Sequence, residues 1–421
     1  MKKILAVLLS LVMAFTFMMP TFAADEEIGT TENSSISGIV DGVGDLTSSV
    51  TGIFSFVEDL FAAIHGLVHN LSVMFDFDCP FDKEKVEEKP SEPSEPEESE
   101  PVEPSNPGEI VPDEDWYDTQ ASYIIKTAEE LAAFAYAVNS GKNCFKDETV
   151  ILGADIDLAG DIWVPIGTYE YAFEGTFDGK GHTISNLYIH DNDADALGLF
   201  GVTSDAIIKN VNINNVDITG YEMVAALVAY PAGAGTITNC HVSGDISLVA
   251  KNTHVGGIAA LNSANIENCS VIADDMGKII ANEKNGVGGI VAWNYAGEIA
   301  IKDCQVKNME ITAYANVGAI AGFVNYSNVI EGCVAENITL TKTRDGGHPT
   351  IGLAAGGFNY NATKAITIKN NSFKDITLVG NADTTDSANV MYGAEYSGKK
   401  TANFVMEGNS VENINLGLLY N

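Results

Sequence analysis

The side chains able to do chemistry are numerous but of few kinds. The chain carries 58 Asp and Glu against 22 Lys and Arg, with seven His and six Cys. Asp191-Asn192-Asp193-Ala194-Asp195 sets carboxylates at alternate positions, as a calcium loop presents its oxygen ligands. The Gly at position six and Glu at position twelve of an EF-hand are replaced by Ala196 and Val202. The expectation is therefore a weak Ca²⁺ site on Asp191, Asp193 and Asp195, or an acidic loop without metal, and no other cofactor. The histidines, at 65, 69, 182, 190, 241, 254 and 348, never form a His-Glu-x-x-His zinc pair. Arg344 is the only arginine and could act as a lyase base, but TRDGGHP around it reads as a solvated turn. Paired carboxylates for glycoside hydrolysis are available from the abundance of acids, although none stands in a recognisable block. The segment Asp178-Gly179-Lys180-Gly181 fits neither phosphate-loop pattern and reads as a tight turn. No catalytic residue is assigned.

Aromatic residues supply a second set of candidates. Trp293, Phe323 and Phe358 recur near one place in a repeat, followed by Tyr295, Tyr326 and Tyr360, with Leu261 at the corresponding earlier position. Turned outward, such a column is a platform for sugar rings or a protein partner; turned inward, it is a core ladder. Asn262, Asn294 and Asn359 beside it are expected to form a hydrogen-bonded turn ladder. Cys240, Cys269, Cys304 and Cys333 are 29, 35 and 29 residues apart and share no Cys-x-x-Cys pair with any other cysteine. Val211 precedes them in the same column, and Asn371 and Asn409 follow. This register predicts a small apolar ladder inside a stack, with disulfides between coils as the alternative.

These columns need an element that places equivalent residues one above another. From Ile207 to Leu416 the blocks IIKNVNINNVDITG, TITNCHVSGDISLV, NIENCSVIADD, IKDCQVKNMEITA, IEGCVAENITLT, IKNNSFKDITLV and MEGNSVENINL repeat. Between them recur VGGIAALN, VGGIVAWN, VGAIAGFVN and IGLAAGGFN. Each half is short, rich in Val, Ile and Thr, and bounded by Gly, Asn or Asp, which is strand chemistry. No helical pattern lies within the period, so helical arrays are excluded and a parallel solenoid of strands remains. Thr127-Ala-Glu-Glu130 opens a helix through Val138 that ends at Gly141.

The blocks Val255-Gly256-Gly257-Ile258 with Ile266-Glu267-Asn268-Cys269, and Val287-Gly288-Gly289-Ile290 with Ile301-Lys302-Asp303-Cys304, resemble the GLUG repeats of Gram-positive surface proteins, known from bacterial IgA-specific metallopeptidases. TAEELAAFAYAVNSG, GTFDGKGHTISNL and LGLFG upstream look like the start of the same solenoid in secreted Firmicutes proteins, and the resemblance covers residues 120–415. It implies a right-handed, pectin-lyase-like parallel β-helix. It does not carry the peptidase activity across, since the zinc motif is missing.

The resulting organisation has a signal peptide at 1–23, an amphipathic helical segment at 24–82, an acidic Pro/Glu/Ser linker at 83–115, a cap with a helix at 116–148, and an all-β, right-handed β-helix at 149–421. Apolar residues from Leu46 to Met74 step alternately by four and three, a heptad stripe suited to self-association through residues 46–75, with docking to a partner or packing on the chain's own C-terminal domain as the alternatives. A formal charge of −36 opposes phosphate backbones, so nucleic acid is excluded as a partner. No membrane-spanning segment is expected in the mature chain. The sequence thus predicts a secreted, extracellular or surface-associated β-helix acting as a non-enzymatic interaction or adhesion module for a glycan or protein, with a polysaccharide lyase or glycoside hydrolase as the alternative.

Overall fold

A computed structural model describes residues 108–113, 115–119, 122–296, 298–325, 327–343, 350–359, 364–380, 391–395 and 404–417. The leader, the heptad stripe, most of the acidic linker, Tyr326, Arg344 and Tyr360 lie outside the described residues. Contacts divide the chain after Glu100, and every described residue belongs to the second unit.

That unit is a parallel β-solenoid whose four sides are sheets of ten, nine, six and seven strands. One coil shows the plan. Strand β12 (Thr236–Thr238) lies in the ten-stranded sheet, β13 (His241–Ala250) in the nine-stranded, β14 (Val255–Gly256) in the six-stranded and β15 (Ala259–Asn262) in the seven-stranded. The next coil repeats it with β16 (Asn265–Glu267), β17 (Ser270–Ala281), β18 (Asn285–Gly288) and β19 (Val291–Asn294). Pairing is parallel and in repeat register: Ile237 with Ile266, Val242 with Val271, Val255 with Val287, and Ala259 with Val291. Alternation along each strand sends one set of side chains inward. Ile208, Ile237, Ile266, Ile301, Ile330 and Ile368 form one buried column of the continuous core.

The first coil is covered by helix α2 (Ala128–Asn139), which follows the short α1 (Trp116–Thr119). Thr127 caps α2, its Oγ1 accepting from the Glu130 amide at 3.3 Å, while Glu130 reaches back to the Lys126 amide. Phe134, on the buried face of α2, packs against Phe145, Phe173 and Phe177 with ring centroids 5.0, 5.4 and 5.9 Å away. The ladder of the ten-stranded sheet already begins at β1 (Tyr123–Ile125), which pairs with β2 (Thr149–Leu152) across α2.

Two recurring devices shape each coil. Between the ten- and nine-stranded sheets the chain turns through a left-handed residue: Asn210, Asn239, Asn268, Asp303, Gly332, Asn370 and Gly408 all have φ between 52° and 68°. Asn tolerates that conformation better than most L-residues. Here its amide also joins the coils, Asn239 Nδ2 donating to Asn210 Oδ1 at 2.8 Å and Asn268 Nδ2 to Asn239 Oδ1 at 2.7 Å. The second device is the corner between the six- and seven-stranded sheets. A Cβ on Gly256 or Gly288 would stand 1.9 or 2.1 Å from the carbonyl oxygen of Ala259 or Val291. The recurring Val-Gly pair is thus a steric requirement of backbone meeting backbone.

Candidate functional site

On the outer face of the nine-stranded sheet a groove of about 440 Å³ opens where the strands bend. It crosses β5 (Thr183–His190), β9 (Asn212–Gly220), β13 and β17. The bend comes from left-handed Asn186 and Asn215 on the first two strands, with Asn215 Nδ2 donating to Asn186 Oδ1 at 3.1 Å. On later strands the bend carries extra residues. The register shifts between Ser243 and Ile246 where β13 meets β9, and between Gly244 and Ser247 where it meets β17. The additional chain at Asp274–Gly277 raises a lip bearing Asp275 and the exposed Met276.

Tyr188, Asp217, Ser247 and Lys278 stand in one register column along the groove, one per coil. Asp245 and Asp275 add carboxylates beside them. Tyr188 lies against the His190 ring at 4.4 Å, and His190 Nε2 is 3.2 Å from Asp217 Oδ1. The groove therefore offers an aromatic face, hydrogen-bond acceptors and a net negative lining to an elongated ligand lying along the stack. The sequence pattern alone does not mark these residues. They come from four different coils, and the irregular bends on β13 and β17 disguise their shared register.

The aromatic candidates separate in the structure. Leu261, Trp293 and Phe323 do share one register column, with Tyr230 one coil earlier. Trp293 stacks on Phe323 at 4.1 Å and takes the His254 ring edge-on at 5.4 Å. Neither side chain belongs to the main core cluster; Trp293 is half-buried and Phe323 buried. Phe358 does not continue this column: it pairs with Val324, Gly357 occupies the place opposite Phe323, and Phe358 is buried in the core. Counting from the Val-Gly or Ile-Gly that opens each block explains the offset, because Phe358 falls one residue later than Trp293 and Phe323. The same offset corrects the asparagine ladder. Asn262 Nδ2 donates to Asn294 Oδ1 at 2.9 Å, whereas Asn359 pairs with Asn325. Tyr295 is exposed at the rim. Burial, helped by Lys284, pushes the His254 imidazole down to about 4.

The acidic loop closes on itself, Asp191 Oδ1 accepting from the Asp193 amide at 3.0 Å. Among the described residues no three His, Cys, Asp or Glu side chains converge on a metal position. Asp195 leaves that loop on strand β6 (Asp195–Leu197) and stands opposite Glu222 of β10 (Glu222–Ala225). Burial, with Glu222 beside it, pushes the Asp195 carboxyl up to about 7.

The cysteine column is inside. Cys240, Cys269, Cys304 and Cys333 are buried and unpaired as disulfides. Burial pushes the Cys240 thiol well up, and the Cys304 thiol is raised by its sulfur neighbours Cys269 and Cys333. The Asn that ends the column accepts from the Cys333 amide at 2.8 Å through Asn371 Oδ1, and Asn371 Nδ2 donates to Asn409 Oδ1 at 2.9 Å.

No family model matches the chain. It is 32% identical over 159 residues to halomucin of Haloquadratum walsbyi, covering 35% of this chain and 2% of that protein. It is 27% identical over 175 residues to an immunoglobulin A1 protease of Streptococcus sanguinis, covering 40% of this chain and 9% of that protein. Among solved structures, a Bacteroides ovatus protein provisionally assigned as an immunoglobulin A1 protease aligns over 69% of this chain and 84% of its own, at 17% identity and a TM-score of 0.41. The matched stretches are thus a small part of these curated relatives. The described residues form a β-solenoid, and part of the chain is distantly similar to immunoglobulin A1 protease-like proteins. No described helix is long and apolar enough to cross a membrane.

Proposed function

We propose that this chain works outside the cell as a non-enzymatic interaction module, its solenoid holding an extended extracellular glycan or a protein segment in the groove of the nine-stranded sheet. The observation that carries the reading is the groove itself. Tyr188, Asp217, Ser247 and Lys278 repeat one functional position at the coil spacing of about 4.8 Å, which suits a polymer better than a compact metabolite. Its carboxylates favour a neutral or amino-sugar polymer over a polyuronate, which like charge would repel. The partly exposed stripe of Tyr230, Leu261 and Trp293, backed by the buried Phe323 ring, is assigned a secondary role as an adhesive edge. Export rests on the signal-peptide character of residues 1–23. The Gly-Gly blocks are read as GLUG-type repeats of a right-handed, pectin-lyase-like β-helix from a Gram-positive bacterium. Residues 46–75 are read as a self-association stripe.

A second reading, a glycoside hydrolase or lyase in the same groove, is favoured by one observation: Asp217, Asp245, Asp275 and Lys278 share it. Binding of the full chain to an array of neutral, amino-sugar, uronate and mucin glycans tests the first reading. Binding that falls at least about tenfold in Asp217→Asn combined with Tyr188→Ala supports it, the loss corresponding to about 1.4 kcal/mol. Array binding untouched by those changes removes the groove from the function.

A further inference from the structure

The stack is finished differently at its two ends. At the first coil, α2 lays its buried face over the core. At the last, β31 (Phe404–Glu407) and β32 (Ser410–Gly417) are the outermost strands of the ten- and nine-stranded sheets, each paired on one side among the described residues. They pair with β28 (Ile366–Lys369) and β29 (Ser372–Val379), which puts Met406, Val411 and Leu416 in the columns of Ile368, Phe373 and Leu378. Ile368, Phe373 and Leu378 are 0%, 1% and 1% exposed, whereas Met406, Val411 and Leu416 are 41%, 49% and 51% exposed. The core columns therefore reach solvent at this end. An outermost strand also offers backbone N–H and C=O groups to a further strand. Neither β31 nor β32 carries the Lys or Pro with which proteins commonly blunt such edges.

Two ladders of alternating charge run along the same sheets and stop at the same place. In the ten-stranded sheet the column reads Glu267, Lys302, Glu331, Lys369, Glu407. In the nine-stranded sheet it reads Lys307, Glu336, Lys374, Glu412. Ion pairs follow the columns: Glu331 holds Lys302 at 3.9 Å and Lys369 at 3.2 Å, and Glu336 holds Lys307 at 3.0 Å and Lys374 at 3.7 Å. Each of these two acids sits between cations from the coils on either side. Glu407 and Glu412 repeat the acidic step, so the next step of both ladders is a cation.

We propose that this open end is a strand-addition site, on which a separate extended polypeptide segment lays one further coil against β31 and β32. The register fixes the chemistry of that segment. It carries Lys or Arg opposite Glu407 and Glu412 and apolar side chains opposite Met406, Val411, Ile414 and Leu416. Main-chain hydrogen bonds to the edge supply affinity, and the alternate side chains supply specificity. A second copy of the chain does not fit this description. Its first coil lies under α2, and pairing two last coils would bring acids against acids. Residues 46–75 contain no Lys or Arg and do not fit it either. The site is separate from the groove and stands whether or not the groove holds a polymer.

The test uses the full chain and a fluorescent peptide with the sequence of residues 366–379, ITIKNNSFKDITLV, in which Lys369 and Lys374 stand at the required places. The expected result is saturable binding that slows hydrogen exchange in β31 and β32. A peptide with Lys369→Glu and Lys374→Glu should bind at least about tenfold more weakly, because attraction at two positions becomes repulsion. Glu407→Lys combined with Glu412→Lys in the full chain should reverse that order and favour the acidic peptide. A reversal cannot come from a loss of fold, which circular dichroism checks as well. The proposal is wrong if the lysine peptide leaves exchange in β31 and β32 unchanged, if the two peptides bind the natural chain equally, or if the charge-reversed chain keeps the original order. A full-chain dimer in sedimentation that Val411→Glu dissociates would give this end to a second copy and overturn it too.

Discussion

His254 shows how one residue ties the aromatic stripe to stability. Its ring is held edge-on to Trp293, and burial lowers its pKa to about 4 from an ordinary value of 6.5. The unfolded chain then binds more protons than the folded chain between those values, so stability rises with pH across that window. The His254 contribution is complete above about pH 6.5 and is lost progressively as pH falls toward 4. A shift of that size corresponds to about 3 kcal/mol at most. Asn suits the left-handed φ of 58° at this position and does not titrate. Denaturant unfolding at pH 7.5 and 4.5 should therefore show a smaller acid loss in His254→Asn than in the natural chain; an equal loss would assign the acid sensitivity elsewhere. Asn268 offers a second residue-scale test. Its φ of 52° and its bond to Asn239 predict that Asn268→Ala destabilises by about 1–2 kcal/mol. Asn268→Gly should cost less, because glycine accepts that conformation. Unfolding midpoints in which Gly is the worse replacement would contradict the left-handed ladder.

At the scale of the element, the corner between the six- and seven-stranded sheets is the least tolerant place. Gly288→Ala sets a methyl 2.1 Å from a backbone oxygen that has no freedom to withdraw, and a loss of about 3 kcal/mol is expected. Gly160→Ala, left-handed but with nothing within 4 Å, is the control for backbone strain alone and should cost less. Similar Tm losses in the two variants would mean that the corner relaxes. The cysteine ladder predicts thiols that react with an aromatic disulfide reagent only on unfolding, and their early labelling in native buffer would place the column at the surface. Much of this level was legible in the sequence. The Cys spacing gave the coil register, and β-branched blocks bounded by Asn, Asp or Gly gave parallel strands. The offset of Phe358 and Asn359 was also present in the spelling of the blocks but was hidden by grouping residues by type. The groove was not legible, because its shape depends on extra residues at bends of β13 and β17, and only pairing across coils reveals which side chains meet.

At the scale of the whole molecule, a solenoid couples each coil mainly to its neighbours, so stability is graded along the stack. The last coil, β31 (Phe404–Glu407) and β32 (Ser410–Gly417), leaves Val405, Met406, Val411 and Leu416 exposed. Hydrogen exchange should be fastest there and slowest around β13 and β17. Uniform protection along the stack would contradict nearest-neighbour coupling. The groove includes β13 and β17, the strands expected to exchange slowest. The central proposal is that this groove holds a polymer and leaves it whole. Its most direct test is to incubate the full chain with the glycan it binds best and measure the polymer's length distribution and its unsaturated and reducing ends over time. A holding groove predicts bound polymer of unchanged length with no new ends. Shortened chains or new unsaturated ends, abolished by Asp217→Asn or Asp275→Asn, would contradict it and make the groove an active site.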